Sequence, residues 1–194
     1  QINDSETKFH SITTYLCFGT CDAVDILEIC GGEEARISQV GFKRGLSSGG
    51  NIDLTTECDL NNPATRDAVL RYLTKCYVMV AILQPNCRTT GSFSHYNALM
   101  YHDTWHKHHL QDLPHLKFCA TVALFQINAG RYFLREQPAG TSLDCIAPWN
   151  QVIARESVES LLVDQCMAGA KDDTGMPAQK KTEWMANHRT LLAR

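Results

Sequence analysis

The chain has 194 residues, of which 44% are hydrophobic and 20% charged, and its formal net charge is −3. This composition excludes fibrous and disordered proteins, and the length suits one domain with its own hydrophobic core. The weak negative charge excludes a basic surface over the whole molecule, which nucleic-acid-binding proteins often use. No apolar run reaches the roughly 18 residues that a membrane span needs, so none is expected. We expect residues 1–23 to form an N-terminal extension and residues 24–194 a single domain.

The chain contains nine cysteines, spread through its apolar runs. An odd number without clustering is typical of a reduced, intracellular protein, although the pattern does not distinguish nucleus from organelle. Cys17 and Cys21 have a spacing that a metal or a disulfide could use, but no second pair with matching spacing follows. We therefore interpret them as small buried hydrophobic residues and predict no metal site.

The first half of the domain predicts two strands and two helices. Residues 24–32 are typical of a buried strand that ends in a glycine turn. The periodic segment 35–46 predicts a helix, which the glycines of the following "SSGGN" should end. Residues 52–60 form the second predicted strand, ending at Asp59. Pro63 then suits the first turn of a second helix.

The second half continues the alternation of strands and helices. Residues 77–83 are continuously apolar, as in the central strand of a parallel sheet. Apolar residues at helical spacing lie between Pro114 and Gly130, which predicts a helix that begins after the proline and is capped by the glycine. Residues 131–138 and 158–166 are predicted strands, joined by a short helix. The repeated order predicts an α/β fold with a Rossmann-like, doubly wound, mostly parallel sheet.

Polar strand ends are the candidate binding residues, because ligands of such sheets bind at the carboxyl ends of the strands. Glycines let the backbone approach a ligand closely, and an acid that closes the second strand can accept hydrogen bonds from ribose hydroxyls. Glu28, Gly31, Gly32 and Asp59 match this pattern of a nucleoside site. The alternative is a common turn after a strand, with an acid that caps a helix.

Cys87 follows the central strand in the segment "QPNC" and precedes "RTTGSFS". A thiolate on a strand-end loop is accessible and can attack an electron-poor carbon, whereas the alternative is a structural cysteine in a loop. Glu136 lies in "REQP" at the end of a later strand, which we expect beside the strand of Cys87. Its carboxyl group could hold or protonate a heterocyclic ring, so the two residues are the candidates for catalysis.

The order of "EICGG", "QPNC" with "GSFS", "REQP" and "DQC" resembles the catalytic core of the DNA cytosine-5 methyltransferases. More narrowly, it is similar to methyltransferase-like segments of dinoflagellate predicted proteins and retroelement polyproteins, over about residues 25–192. The resemblance implies the S-adenosylmethionine-dependent methyltransferase fold, S-adenosylmethionine as cofactor and nucleic acid as substrate. It also implies that Cys87 adds to carbon six of a cytosine and that Glu136 grips the ring nitrogen, with the base out of the stack.

The same resemblance implies a cofactor pocket between Gly31, Asp59 and Pro85. Glu28, Gly31 and Gly32 would line its methionine and ribose side. Asp59 would contact the ribose or the adenine.

Departures from the family pattern favour an alternative, a catalytically inactive methyltransferase fold that serves as a structural or assembly subunit of a larger complex. Asn86 stands where the family has proline directly before the cysteine, and Gln137 stands where it has asparagine. Glu33 and Glu34 place negative charge beside the cofactor's carboxylate. The chain also has no room for a separate target-recognition region.

Two further segments are rich in basic residues or in histidine. Four basic residues of the C-terminal segment could touch phosphates, although such a group is usually a solvated face; they are Lys180, Lys181, Arg189 and Arg194. His102 and His106 share a helical face at a spacing that a metal would accept, but no acidic or cysteine partner accompanies them at a diagnostic distance. We interpret the histidine segment as exposed surface.

Overall fold

The computed structural model describes residues 23–193, apart from the side chain of Ala168. Its strands are β1 (Val24–Ile29), β2 (Ser48–Ile52), β3 (Val78–Leu83), β4 (Tyr132–Pro138), β5 (Glu159–Asp164) and β6 (Lys181–Ala186). Its α-helices are α1 (Arg36–Lys43), α2 (Pro63–Lys75), α3 (Ser94–Met100), α4 (His102–Asn128) and α5 (Trp149–Ile153). The predicted N-terminal extension, except Ala23, and the pair Cys17 and Cys21 lie outside the described residues.

The strands form one mixed sheet in the order β2-β1-β3-β4-β6-β5. The four strands β1 to β4 are parallel, and β6 runs antiparallel to both β4 and β5. The chain moves from β1 to β2 on one side and then crosses to β3 on the other side of β1. The strand order therefore reverses between β1 and β3, and ligands of open α/β sheets bind at the carboxyl end of such a point. The predicted α/β fold with a mostly parallel sheet is confirmed.

Helices cover both faces of the sheet at β1. A Cβ atom on Gly41 of α1 would lie 2.5 Å from Cδ1 of Ile26, so α1 packs closely on that face. Because side chains alternate along a strand, Leu27 points to the opposite face. There it shares the hydrophobic core with Tyr72 and Leu73 of α2. The two faces are thus buried by successive helices, as the doubly wound prediction requires.

The second strand lies earlier in the chain than predicted. Residues 52–60 are not a strand, since β2 ends at Ile52 and Leu54–Thr56 is a 3₁₀ helix whose cap is Asp53. The glycines expected to stop a helix belong to β2 instead. A Cβ atom on Gly49 would lie 2.6 Å from the Tyr72 hydroxyl, so the strand needs glycine where α2 approaches it. Asp59 consequently lies in the loop before α2, not at a strand end.

Helix α4 begins before Pro114, not after it as predicted. A proline in a helix removes the hydrogen bond to the carbonyl four residues earlier. That residue is Leu110, which is 55% exposed, so water can replace the missing donor. The predicted end is confirmed, because Gly130 directly after α4 adopts a φ of 65°.

Arg135 ties β4 to its surroundings, although its side chain is fully buried. It forms ion pairs with Asp144 and with Glu183 of β6, and its guanidinium lies 4.9 Å from the centre of the Trp149 ring. A buried cation needs such partners because desolvation is costly. These contacts fix the neighbouring strand β6 beside β4.

Two further observations concern membranes and cysteines. Within residues 23–193 there is no helix of sufficient length and apolar character to cross a membrane. Cys76 at the end of α2 is disulfide-bonded, whereas Cys30, Cys58, Cys87, Cys119, Cys145 and Cys166 are free. The prediction of reduced cysteines is therefore wrong for Cys76.

Candidate active site

The turn after β1 is held by side chains from the end of β2. The turn is tight, with Cys30 at a φ of 61° and Gly32 at 70°. Asn51 accepts a hydrogen bond from the Gly31 N–H at 3.1 Å and donates one to the Gly32 carbonyl at 2.7 Å. Asp53 accepts one from the Gly32 N–H at 3.1 Å. Both amide groups of the glycine turn are thus already hydrogen-bonded within the protein.

Glu28 is fully buried beneath this turn. Its Oε2 accepts a hydrogen bond of 2.9 Å from the Ser38 N–H in the first turn of α1. Its Oε1 is buried and finds no hydrogen-bond partner among the described residues. A Cβ atom on Gly31 would lie 2.6 Å from the Glu28 carboxyl group, so only glycine fits above it. Glu28 and Gly31 also border a small cavity of about 280 Å³.

A larger cavity, here called the glycine-turn cleft, has a volume of about 330 Å³ and lies at the carboxyl ends of β1, β2 and β3. Its lining includes Cys30, Gly32, Asp53, Asp59, Gln84, Asn86, Arg88, Asp112 and His115. Asp59 therefore borders the cleft as the resemblance implies, but Asp53 is the acid that directly follows β2. Pro85 is not in the lining, although both of its neighbours are. Burial lowers the pKa of His115, which favours a neutral imidazole at the cleft wall.

Cys87 lies in a second cavity, here called the cysteine groove, with a volume of about 680 Å³. Its lining includes Cys87, Arg88, Gly91, Phe93, Asn97, Pro138, Lys180 and Lys181. The Cys87 carbonyl accepts a hydrogen bond of 2.7 Å from the Gly91 N–H, which closes a tight turn after the cysteine. The cysteine is partly exposed and free, as a nucleophile must be.

Glu136 occupies the end of β4, next to the groove but not in its lining. It lies on the face of the sheet opposite to Gln137, because side chains alternate along the strand. Its Oε1 is buried and accepts no hydrogen bond from the described part of the chain. Burial raises the pKa of Glu136, and the charges of Lys180 and Arg135 oppose this shift in part. Lys180 therefore links Glu136 electrostatically to the groove that contains Cys87.

Gln137 positions the loop that carries the cysteine. The side chain is buried, and its Nε2 donates a hydrogen bond of 2.6 Å to the Pro85 carbonyl. Its Oε1 accepts one from the Thr141 hydroxyl at 3.3 Å. In the sequence Gln137 is only a departure from the family pattern, yet its carboxamide connects β4 to the segment that follows β3.

Arg88 separates the two cavities and borders both. Its guanidinium donates two hydrogen bonds of 2.8 Å to the carboxylate of Asp112, which is only 3% exposed. Such a two-pronged ion pair is both directional and strong. No sequence motif indicated this pair, because its members are 24 residues apart.

The structure thus brings Glu28, Gly31, Gly32, Asp59, Cys87 and Glu136 to one edge of the sheet, around two adjacent cavities. The sequence matches no protein-family model and no curated protein. The interpretation of these cavities consequently depends on their own chemistry.

The histidine segment lies apart from this edge, in the first half of α4. The rings of His102 and His106 stack with their centres 5.8 Å apart. Across residues 23–193 there is no group of three or more histidine, cysteine or acidic side chains placed to hold a metal ion.

Proposed function

We propose that the chain is an S-adenosylmethionine-dependent methyltransferase-like domain of the cytosine-5 type, which acts on nucleic acid. The observation that carries the proposal is the pair of cavities that meet at Arg88. One has the acids and the glycine turn of a nucleoside site, and the other contains an accessible cysteine. A transfer reaction needs such adjacent sites, because donor and acceptor must meet in one geometry.

The sheet supports the same assignment. Strand β6 lies between β4 and β5, near one edge of the sheet, and runs antiparallel to both. This arrangement resembles that of the S-adenosylmethionine-dependent methyltransferase fold. The strand order reverses beside β1, and the glycine-turn cleft lies at this point, which supports a ligand site there.

The residues of the cleft fit S-adenosylmethionine in size and donor chemistry. Pockets for small ligands begin at roughly 300 Å³, and the cleft has about 330 Å³ with a further cavity of about 280 Å³ beside Gly31. Asp53 and Asp59 would accept hydrogen bonds from ribose hydroxyls. Among the described residues, Oε1 of Glu28 has no hydrogen-bond partner. It would therefore suit the ammonium group of the cofactor. When bound, the cofactor would supply an electrophilic methyl group.

The chain's own residues would then activate the acceptor. The Cys87 thiolate adds to carbon six of a cytosine, which makes carbon five nucleophilic. The raised pKa of Glu136 favours a protonated carboxyl group that donates a hydrogen bond to the ring nitrogen and draws electron density from carbon six. Once carbon five carries its new substituent, transfer of the carbon-five proton to water would expel Cys87 as its thiolate, return the ring-nitrogen proton to Glu136 and restore the aromatic ring.

Calorimetry with S-adenosylmethionine tests the cofactor assignment. We expect saturable binding that weakens in Asp59→Ala, because the carboxylate would contact the ribose. An absence of heat at millimolar cofactor would contradict the proposal.

A second experiment isolates the nucleophile. Cys87→Ser should abolish methyl transfer to a cytosine-containing oligonucleotide and leave cofactor affinity nearly unchanged. Cys145→Ser is the matched control, since Cys145 is an exposed, free cysteine outside the groove lining. Equal activity of the Cys87→Ser and Cys145→Ser variants would remove Cys87 from the mechanism.

The second candidate function is a catalytically inactive subunit of a larger assembly. It is favoured by the glycine turn, whose two amide groups are hydrogen-bonded to Asn51 and Asp53 and so are not free for a ligand. In that case the chain should co-purify with a large assembly in a fixed ratio. Purification from its source as an isolated monomer would argue against this role.

A further inference from the structure

The topology of the sheet brings two lysines to the groove that contains Cys87. Because β6 is antiparallel to β4, it begins where β4 ends. Lys181 is the first residue of β6, and its carbonyl accepts a hydrogen bond of 3.0 Å from the Ala139 N–H just after β4. Lys180 is fixed in the same way, with its carbonyl bonded to the Gln165 N–H at 2.9 Å. The two backbones are held in place while the side chains are exposed.

Neither lysine forms an ion pair within the described part of the chain. Arg88, which also borders the groove, is by contrast bound to Asp112. The free positive charge of the groove therefore belongs to Lys180 and Lys181. Ammonium groups that form no ion pair are available to the phosphates of a ligand, although Lys180 also acts on the Glu136 carboxyl.

The lining of the groove also includes an exposed aromatic ring. Phe93 is 77% exposed, although the loop around it is firmly anchored. The Ser94 hydroxyl donates a hydrogen bond to the Thr89 carbonyl and accepts one of 2.8 Å from the Trp105 indole. A Cβ atom on Gly91 would lie 2.9 Å from the Cys87 carbonyl, so this loop packs directly on the cysteine's turn. A ring exposed on an anchored loop offers a flat face for stacking.

Stacking faces beside free positive charges are the two elements with which proteins bind single-stranded nucleic acid. The volume of about 680 Å³ lies well within the range of ligand pockets and exceeds that of the glycine-turn cleft. A base within a duplex would first have to be unstacked, at a cost of a few kcal/mol. A strand that is already unpaired avoids this cost.

We propose that the cysteine groove binds single-stranded nucleic acid, with Phe93 stacked on a base and with Lys180 and Lys181 beside the phosphates. The presentation of the unpaired base to Cys87 rests on the proposed function, but the binding itself does not. The groove chemistry is shared by DNA and RNA strands, and the experiment compares them.

Fluorescence anisotropy of labelled oligonucleotides of about 12 nucleotides tests the proposal, since this length lies within the usual range of single-strand sites. The probes are one DNA strand, the RNA strand of the same sequence and the matched DNA duplex. At least one single strand should bind about tenfold or more tightly than the duplex. Equal or tighter binding of the duplex would overturn the proposal.

Variants of the groove identify the contacts. Phe93→Ala should weaken binding roughly 5- to 100-fold, and Phe93→Tyr should retain most of the affinity because it keeps the ring. Leu99→Ala is the matched control, since Leu99 is 80% exposed on the neighbouring helix but lies outside the groove lining. If Phe93→Ala binds as tightly as Leu99→Ala, the stacking contact is refuted.

The contribution of the two lysines is measured separately, by the salt dependence of binding. Removal of both in Lys180→Ala with Lys181→Ala should reduce the slope of log affinity against log salt by roughly 1.4, as expected for two phosphate contacts with a single strand. An unchanged slope would remove the lysines from the site. Equal binding of a labelled polyglutamate peptide would show a general anion surface and would also overturn the proposal.

The outcomes separate this inference from the proposed function. If cofactor calorimetry succeeds and no single strand binds, only the groove assignment fails. If single strands bind through Phe93 but no cofactor binds, the methyltransferase proposal fails and the groove assignment stands. Thermal unfolding monitored by circular dichroism establishes that each variant is folded before binding is compared.

Discussion

The two cavities at the carboxyl edge differ in how their polar groups are used. In the glycine-turn cleft, Asn51 and Asp53 bind the glycine turn, and Arg88 neutralises Asp112. In the cysteine groove, neither Lys180 nor Lys181 forms an ion pair with a described residue, and the Phe93 ring is exposed. The first cavity is stabilised by its own contacts, whereas the second presents its chemistry outward. The difference indicates that the cleft contributes to stability and that the groove is available for recognition.

Removal of the residue shared by both cavities should have the largest effect. Among the described residues, Arg88→Ala leaves the buried Asp112 carboxylate with a single hydrogen-bond donor, the hydroxyl of Thr89 at 3.4 Å. We expect the free energy of unfolding to fall by about 2–3 kcal/mol, since a buried charge loses its hydrogen-bonded partner. Urea denaturation measures this loss. A substantial part should be recovered when Asp112→Ala is added, and a double variant as unstable as the sum of both would argue against the pair.

The next largest effect is expected in the glycine turn. Gly31→Ala would place a Cβ atom 2.6 Å from the buried Glu28 carboxyl group. We expect a loss of about 2 kcal/mol by overpacking, and the loss should vanish in a Glu28→Ala background. Gly45→Ala is the control for backbone strain alone, because Gly45 has a φ of 81° with open space around it. If Gly31→Ala costs the same free energy of unfolding in the wild-type and Glu28→Ala backgrounds, contact with Glu28 does not cause the loss.

A pair of substitutions, one in each cavity, compares the two cavities directly. Asp53→Ala removes the acceptor for the Gly32 and Thr55 amides and should cost about 1 kcal/mol, a usual value for a lost cap. Lys181→Ala in the groove should change stability by no more than about 0.5 kcal/mol. Thermal and urea unfolding of both variants measure this contrast. Equal losses would mean that the cavities do not differ as described.

The smallest expected effect concerns pH. Burial raises the pKa of Glu136 above the value of 4.5 for an unperturbed carboxyl, so the folded chain retains this proton to higher pH than the unfolded chain. The protonated Glu136 carboxyl group therefore makes its full contribution to stability below pH 4.5. This contribution is lost as the pH rises through the raised pKa of Glu136 in the folded chain. The Glu136→Gln variant has no carboxyl group at this position and should not lose stability in this way. The melting temperature of the wild type relative to this variant should fall as the pH rises above 4.5, and parallel pH profiles would exclude the effect.

Much of the fold could be predicted because burial leaves a clear pattern in the sequence. The apolar run of β3 and the strand of β4 lie where they were expected, since a parallel strand covered on both faces needs continuous apolar residues. The second strand could not be placed in this way. Gly49 belongs to it because Tyr72 approaches from α2, and a close approach between distant elements leaves no local signal.

Part of the candidate site could also be predicted from the sequence. The strand ends predicted that Cys87 and Glu136 lie near each other at one edge, and the sheet order places them there. The second strand was predicted a few residues too late in the chain. Asp59 was therefore expected at its end, where the structure has Asp53. Arg88 and Gln137 act through partners 24 and 52 residues away, so their roles required the tertiary structure.

The position of β6 between β4 and β5 has a consequence for the order of folding during synthesis. This strand is the last of the six to leave the ribosome, yet it lies between β4 and β5 and is the only neighbour of β5 among the described strands. The earlier strands can assemble while the chain is still growing, but β5 must wait for residues 181–186 before it joins the sheet. Completion of the sheet edge and arrival of the lysine pair are therefore a single late event.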